Sequence, residues 1–259
     1  MSAGFHLRRP VSEFLSAMQF LTRLRVPSQP YAVDSLARSV KFFPVVGVIV
    51  GAGGALLHHL VALHLPRMAA AFVVVIYLVC VTGGLHEDGL ADVADGFGGG
   101  TSREKILLIL RDSRIGSYGG IALVLSLVGR LLLIAALPLQ HVSCYLIAAS
   151  VLCRWTPLPL SYFLPPARIE ASTPGDGQGA RIARLTSTGA LIAGTVFSTA
   201  LAAVLLNKQA VAPLMTTLAI SWLTAIYYKR RIGGITGDCF GATIQLTEIG
   251  VYLCGAWIL

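Results

Sequence analysis

Asp88, Asp92 and Asp95 fall within the stretch GGLHEDGLADVADGFGGG, residues 83–100. At about 100° per residue, the i, i+4, i+7 spacing brings their carboxylates within roughly 60° of one another on a helix face, over about 10 Å of its length. Like charges this close raise one another's pKa unless a cation lies between them. An all-oxygen set without His or Cys suits Mg²⁺ or Mn²⁺ better than zinc, and Mg²⁺ shares its shell readily with phosphate oxygens. A solvated acidic helix end is the plainer alternative, yet it does not need the seven glycines between Gly83 and Gly100. The run Gly98-Gly99-Gly100 predicts backbone N–H groups offered to a phosphate.

Two further stretches carry related chemistry. RDSRIGSYGG, residues 111–120, sets Arg111 and Arg114 beside Asp112. Arginine forks suit bidentate phosphate recognition, and Asp112 either joins a metal site or steadies an arginine. Anchoring at a membrane surface explains the arginines but not the aspartate. GGITGDCFGATIQLTEIG, residues 233–250, places Asp238 at a helix start and Glu248 ten residues further, about 15 Å along the axis. His86 is a proton carrier, a phosphate contact or a structural histidine; the sequence leaves these open.

The elements that hold these residues are apolar. The chain has 259 residues, 55% hydrophobic and 12% charged, with a mean hydropathy of +0.75; soluble domains carry roughly twice that charge. Seven stretches approach the length of about 20 apolar residues needed to cross a bilayer: 42–63, 68–85, 118–138, 141–163, 187–206, 210–228 and 238–258. Residues 1–259 therefore read as one all-α, polytopic membrane domain of about seven transmembrane helices. Val11, Phe14, Leu15, Met18 and Leu21 recur at helical spacing and predict an N-terminal interfacial helix, with a packed helix as the alternative. The basic N-terminal stretch lacks a continuous apolar core and a cleavage site, so no signal peptide is expected. Five scattered cysteines form no C-x-x-C pair, which excludes a zinc site or disulfide framework on pattern.

A formal charge of +8 would invite nucleic acid as a partner. On the seven-span topology, however, sixteen of the twenty Lys and Arg residues fall on the N-terminal segment and alternate connections, with Arg67 and Lys208 on the other side. The excess is a positive-inside signal, predicting a cytoplasmic N-terminus and a cytoplasmic acidic site. Arg130 and Arg154 lie within spans. A carboxylate as deep as Glu248 costs about 2.5–3.5 kcal/mol and needs a cationic partner. Counted along straight helices, Arg154 is about 13 Å deep and Arg130 nearer 18 Å, so the expected structural intramembrane pair is Arg154 with Glu248.

Together, GGLHEDGLADVADGFGGG, RDSRIGSYG and GGITGDCFGA closely resemble the signature motifs of the cobalamin synthase (adenosylcobinamide-GDP ribazoletransferase) family. FLSAMQFLTRLRVP and FFPVVGVIVG resemble its opening segments. Glu87 and Val93 depart from the pattern, standing where an apolar residue and a Thr are expected, and the segment LPPARIEASTPGDGQGARI is longer than usual. The resemblance implies a multi-pass, Mg²⁺-dependent enzyme of the cell inner membrane. Its substrates would be adenosylcobinamide-GDP and α-ribazole or α-ribazole 5′-phosphate, with GMP released. Asp88, Asp92 and Asp95 would hold the metal, and Arg111, Arg114 and the Gly98–Gly100 backbone the phosphates. Asp112, Asp238 and His86 compete as proton acceptor. A membrane phosphotransferase of the CDP-alcohol type and a cation transporter are the alternatives, the latter because intramembrane carboxylates often mark ion paths. A homo-oligomer is possible on sequence.

Overall fold

The computed structural model describes residues 9–27, 38–167 and 186–257. Arg8, Arg168, Arg181, Arg184 and most of the long LPPARIEASTPGDGQGARI segment lie outside the described residues. Among the described residues the chain is helical, with one isolated bridge between Pro166 and Ile235. In chain order the helices are α1 (Arg9–Leu21), α2 (Phe43–Val61), α3 (Arg67–Thr82), α4 (Leu85–Gly99), α5 (Arg103–Ile109) and α6 (Ser117–Ala136). There follow α7 (Val142–Trp155), α8 (Pro157–Phe163), α9 (Thr188–Leu206), α10 (Val211–Ile232) and α11 (Gly237–Trp257).

Among the described residues three stretches are long and apolar enough to cross a membrane: Val40–Val61, Ser117–Ala136 and Thr188–Ile232. A fourth qualifies only when α3 and α4 are taken together across a bend of 88°. The bend is written in two glycines. Gly83 and Gly84 have φ of 67° and 71°, a left-handed conformation that disfavours any side chain, and their N–H groups cap the carbonyls of Cys80 and Val79. The expected span 68–85 therefore ends at a sharp turn. The expected span 141–163 is likewise divided, because α7 stops at Trp155 and α8 restarts at Pro157, whose ring removes a backbone donor.

Small residues set how closely the helices approach. A Cβ on Gly47 would lie 2.3 Å from the Ser150 carbonyl oxygen, and one on Gly51 2.6 Å from Ile147 Cα, so α2 and α7 meet backbone to backbone. Helix α1 buries Ala17, Met18 and Leu21 against the bundle, with Phe20 stacked on Phe43 at 5.8 Å. Its Glu13 is 4% exposed and meets Arg9, Arg38 and Lys41 at 3.3, 3.3 and 2.8 Å. The packed alternative thus describes this stripe of α1.

The deepest polar contact corrects the Arg154–Glu248 expectation. Glu248 meets Arg130 Nη1 at 3.4 Å, and Arg130 Nη2 donates to Glu87 Oε1 at 2.7 Å. Gln245 donates to Glu87 and Tyr252 to Glu248, each at 3.1 Å, while Ser126 donates to Gln245 at 2.8 Å. Arg154 instead turns back along its own helix to the Ser150 carbonyl at 3.1 Å, as a helical side chain leaning toward the N-terminus does. The depth count compared heights that differ by only about one helical turn and took no account of which neighbours each arginine faces. It also missed Glu87, which supplies a second carboxylate to Arg130.

Removing one member of this buried cluster should leave uncompensated charge and cost about 3–5 kcal/mol, whereas removing charge of both signs should cost less. Arg130→Met is expected to lower the unfolding temperature in detergent sharply, and Arg130→Met combined with Glu87→Gln and Glu248→Gln to recover part of the loss. Strict additivity of the three changes would contradict the clustering.

Candidate active site

Helix α4 carries His86, Glu87, Asp88, Asp92 and Asp95 in fifteen residues, too few at about 1.5 Å each to cross a bilayer alone. Turned by 88° from α3, it packs along α6 and α11. Its position is fixed by a tight crossing with α11. A Cβ on Gly89 would lie 2.8 Å from the Asp238 carbonyl oxygen, and Gly241 faces His86 and Gly89 at 3.3 Å. Either glycine enlarged would push the two helices apart. The crossing carries Asp238, in the first turn of α11, to the acidic face of α4. Thr236 Oγ1 donates to Asp238 Oδ2 at 3.2 Å.

The helical spacing of the three aspartates is as the sequence predicts, but their environments differ. Asp88 is exposed; Asp92 and Asp95 are half-buried. Burial, followed by the carboxylates of Asp238, Asp88 and Asp95, pushes Asp92 up to about 7. Asp95 is turned to α6, accepting the Gly116 N–H at 2.7 Å and the Gly119 N–H at 2.9 Å. It thus caps the helix that follows, where the positive end of the helix dipole favours an anion. This contact explains the spacing of RIGSYGG: a Cβ at Gly116 or Gly119 would come within 2.4 or 2.3 Å of that carboxylate.

Among the described residues no three acidic, His or Cys side chains converge as a ready-made ion site. The donor chemistry nonetheless fits a hard cation, since the carboxylates of Asp88, Asp92 and Asp238 come together with oxygen donors alone. Asp88, Asp92 and Asp238 form the open part of this acidic group, and Asp95 its helix-bound edge.

The remaining site residues fall in different places. Arg114 forks onto Asp112, with Nη2 to Oδ2 at 2.6 Å and Nε to Oδ1 at 2.9 Å, and the side-chain and backbone hydrogen bonds from Arg114 pull Asp112 down to about 2. Asp112 is accordingly a poor proton acceptor. Gly98 and Gly99 lie in the last turn of α4, and the Gly100 N–H is given to the Gly96 carbonyl at 2.9 Å. The expected phosphate-binding backbone is thereby corrected: a helix C-terminus presents carbonyls, not free N–H groups. These glycines serve packing instead, Gly98 against the Tyr118 ring and Gly100 against Ile106. Carbonyls at this end are met by Arg231, which donates to Gly100 at 2.9 Å and to Phe97 at 3.3 Å. Arg103 similarly ties Ile232 and Ala167 at 2.9 and 2.7 Å. Neither role was legible from a lone arginine in a basic segment. His86 is 3% exposed, and its Nε2 is buried without a hydrogen-bond partner among the described residues. All five cysteines are free.

A helical protein with several apolar helices of membrane-crossing length, and carboxylates from two helices gathered beside their ends, is thus the class defined by fold and site. The family of cobalamin-5-phosphate synthases matches residues 13–256, and the chain belongs to that family. It is 41% identical to an adenosylcobinamide-GDP ribazoletransferase of Azorhizobium caulinodans over 96% of this chain and 97% of that protein. Proteins of the same name from Polaromonas sp. and Ralstonia nicotianae are each 37% identical, covering 94% and 98% of this chain and 95% and 96% of their own. No solved structure matches the chain.

The two faces of the acidic group should separate experimentally. Asp95→Ala is expected to cost about 0.5–2 kcal/mol of stability as a lost helix cap, whereas the exposed Asp88→Asn should leave thermal unfolding in detergent unchanged. Equal melting of both variants and the parent would remove the capping role. Asp92 gives a pH signature. Its folded pKa, about 7, lies above its ordinary 3.8, so its contribution is intact below about 4 and lost as pH rises to 7 and beyond. In EDTA, Asp92→Asn should therefore melt higher than the parent at pH 8 and converge with it toward pH 4. Identical curves at pH 8 would contradict the crowding of carboxylates.

Proposed function

We propose that the chain is an adenosylcobinamide-GDP ribazoletransferase, joining adenosylcobinamide-GDP to α-ribazole, or its 5′-phosphate, with release of GMP. The reading is carried by nearly full-length identity of 37–41% to relatives of that name, and supported by the acidic face of α4. A hydroxyl of the ribazole attacks the corrinoid-side phosphorus of the diphosphate. One P–O bond forms to that oxygen, the P–O bond to GMP breaks, and the hydroxyl proton passes to a base. Of the three proton acceptors, Asp112 is disfavoured by its pairing with Arg114. Asp238 and His86 remain.

The residues that would hold Mg²⁺ are Asp88, Asp92 and Asp238, with Asp95 at their edge. When bound, the ion supplies neutralisation of the negative charge that gathers on phosphate oxygens. Arg111 and Arg114 would meet the phosphates, Arg114 being forked onto Asp112. Arginine is suited to that task by its fixed fork of donors.

The chain is further proposed to sit in the cytoplasmic membrane with N-terminus and site facing the cytosol, as its asymmetric basic charge supports. Seven crossings remain the proposal, supported by length. Thr188–Ile232 would extend about 68 Å as one helix, more than two hydrocarbon cores, and it contains a break at Asn207–Ala210. The exposed face of α1, including Val11, would rest on the membrane surface. The transporter alternative is weakened by the buried carboxylates Glu87 and Glu248 being satisfied by Arg130.

Purified protein given Mg²⁺, adenosylcobinamide-GDP and α-ribazole should release GMP in step with the joined product. Asp88→Asn and Asp92→Asn should each lose most of that turnover while remaining folded. Absence of GMP from the parent protein, or cation flux in proteoliposomes without it, would overturn the assignment.

A further inference from the structure

A cavity of about 270 Å³ opens directly beside the acidic group. Asp88 and Asp238 form part of its wall, and so does the buried His86. The rest is apolar. Phe20 and Phe43, the stacked pair joining α1 to α2, close one side, and Phe240 and Ile244 of α11 close the other. Two other cavities, between α7, α9 and α10 and between α3 and α6, are lined by none of these carboxylates.

Resting on the ribazole-transfer reading, we propose that this cavity is the acceptor subsite and takes the bicyclic aromatic base of the incoming nucleoside. Three observations select that occupant. Size comes first: at about 270 Å³ the cavity lies just below the range of about 300–1,000 Å³ that holds drug-sized ligands, a size suited to a two-ring base and too small to enclose a corrinoid. Polarity comes second. A guanine edge carries several donors and acceptors, each costly to bury unpaired, and the aromatic and aliphatic wall offers them little. A benzimidazole-type base presents apolar edges and one free ring nitrogen. The third observation is His86, 3% exposed and in the wall of the cavity, where its ring adds an aromatic surface; its Nε2 is itself buried and unpartnered among the described residues. With the base seated between the phenylalanines and His86, the ribose is left on the side of Asp88 and Asp238, where the reacting hydroxyl must be.

The assignment makes α1 part of the site, since its Phe20 and Leu21 line the cavity although the motif lies some sixty residues further along the chain. It also makes the size of the lower base a property of Phe240 and Ile244.

Two substitutions of opposite sense test this. Ile244→Phe narrows the cavity, and Phe240→Ala widens it. Ile244→Phe should raise KM for α-ribazole roughly tenfold or more and favour the riboside of unsubstituted benzimidazole over the dimethylated one, as one or two methyl groups decide in an apolar pocket. Phe240→Ala should shift preference toward larger ring systems. KM for adenosylcobinamide-GDP should hold in both. A change confined to the corrinoid substrate, or no change in base preference in a folded variant, would overturn the proposal. Equilibrium binding of α-ribazole alone to the purified protein separates this inference from the reading beneath it. Binding that follows cavity size in a protein releasing no GMP would retain the subsite and reject the transferase assignment. GMP release with base binding indifferent to both substitutions would do the reverse.

Discussion

A guanidinium that is 1% exposed governs the arrangement of this protein. Arg130 cannot be left alone in an apolar bundle, and its two partners come from different helices: Glu87 from α4 and Glu248 from α11. Gln245 and Ser126 extend the network to a second contact between α6 and α11. Because each charge meets one of opposite sign, although Glu87 Oε2 and Arg130 Nε have no hydrogen-bond partner among the described residues, the three helices have little freedom to slide without separating buried charges. Glu87 is the immediate neighbour of Asp88. A constraint rooted in the core thus sets the height and rotation of the acidic helix.

Around that anchor, glycine sets distance and aspartate sets direction. Gly83 and Gly84 allow α4 to leave α3 at a right angle, and Gly89 with Gly241 lets it lie against α11 at backbone contact. Asp95 then caps α6, so the helix that supplies Arg130 is also held by the acidic motif at its N-terminus. Two contacts, one polar and exposed and one ionic and buried, tie α4 to α6 at both ends. The motif is as much a structural joint as a source of carboxylates.

Much of this was legible in the residues. The i, i+4, i+7 spacing of the aspartates depends only on helical period, and helix existence follows from long apolar runs; both therefore survive any tertiary arrangement. Asp238 joining the acidic group was also foreseeable from its place at a helix start. What could not be read was geometry arising between helices. The 88° turn at Gly83–Gly84 and the break at Thr156 both interrupt runs that look continuous in composition. The choice of Arg130 over Arg154 turned on which side of its helix each guanidinium leaves, since Arg154 folds back on Ser150 while Arg130 faces Glu248. Glu87 looked like an irregularity because its partner is 43 residues away. Gly98–Gly100 was misread because glycine suits a phosphate loop and a crowded helix end equally, and only the neighbouring Tyr118 and Ile106 distinguish them.

The sequence distance between the members of the Arg130 network has a consequence for biogenesis. Glu87 leaves the ribosome before Arg130, and the Gln245 that completes its shell is 158 residues behind it. Arg130 follows 43 residues after Glu87, but the α11 surface against which Gly89 packs is missing until Gln245 and its helix are made. The short acidic helix must wait for α11 before its packing is complete. Assembly of the acidic face is therefore a late event, closed by a helix translated long after the motif it holds.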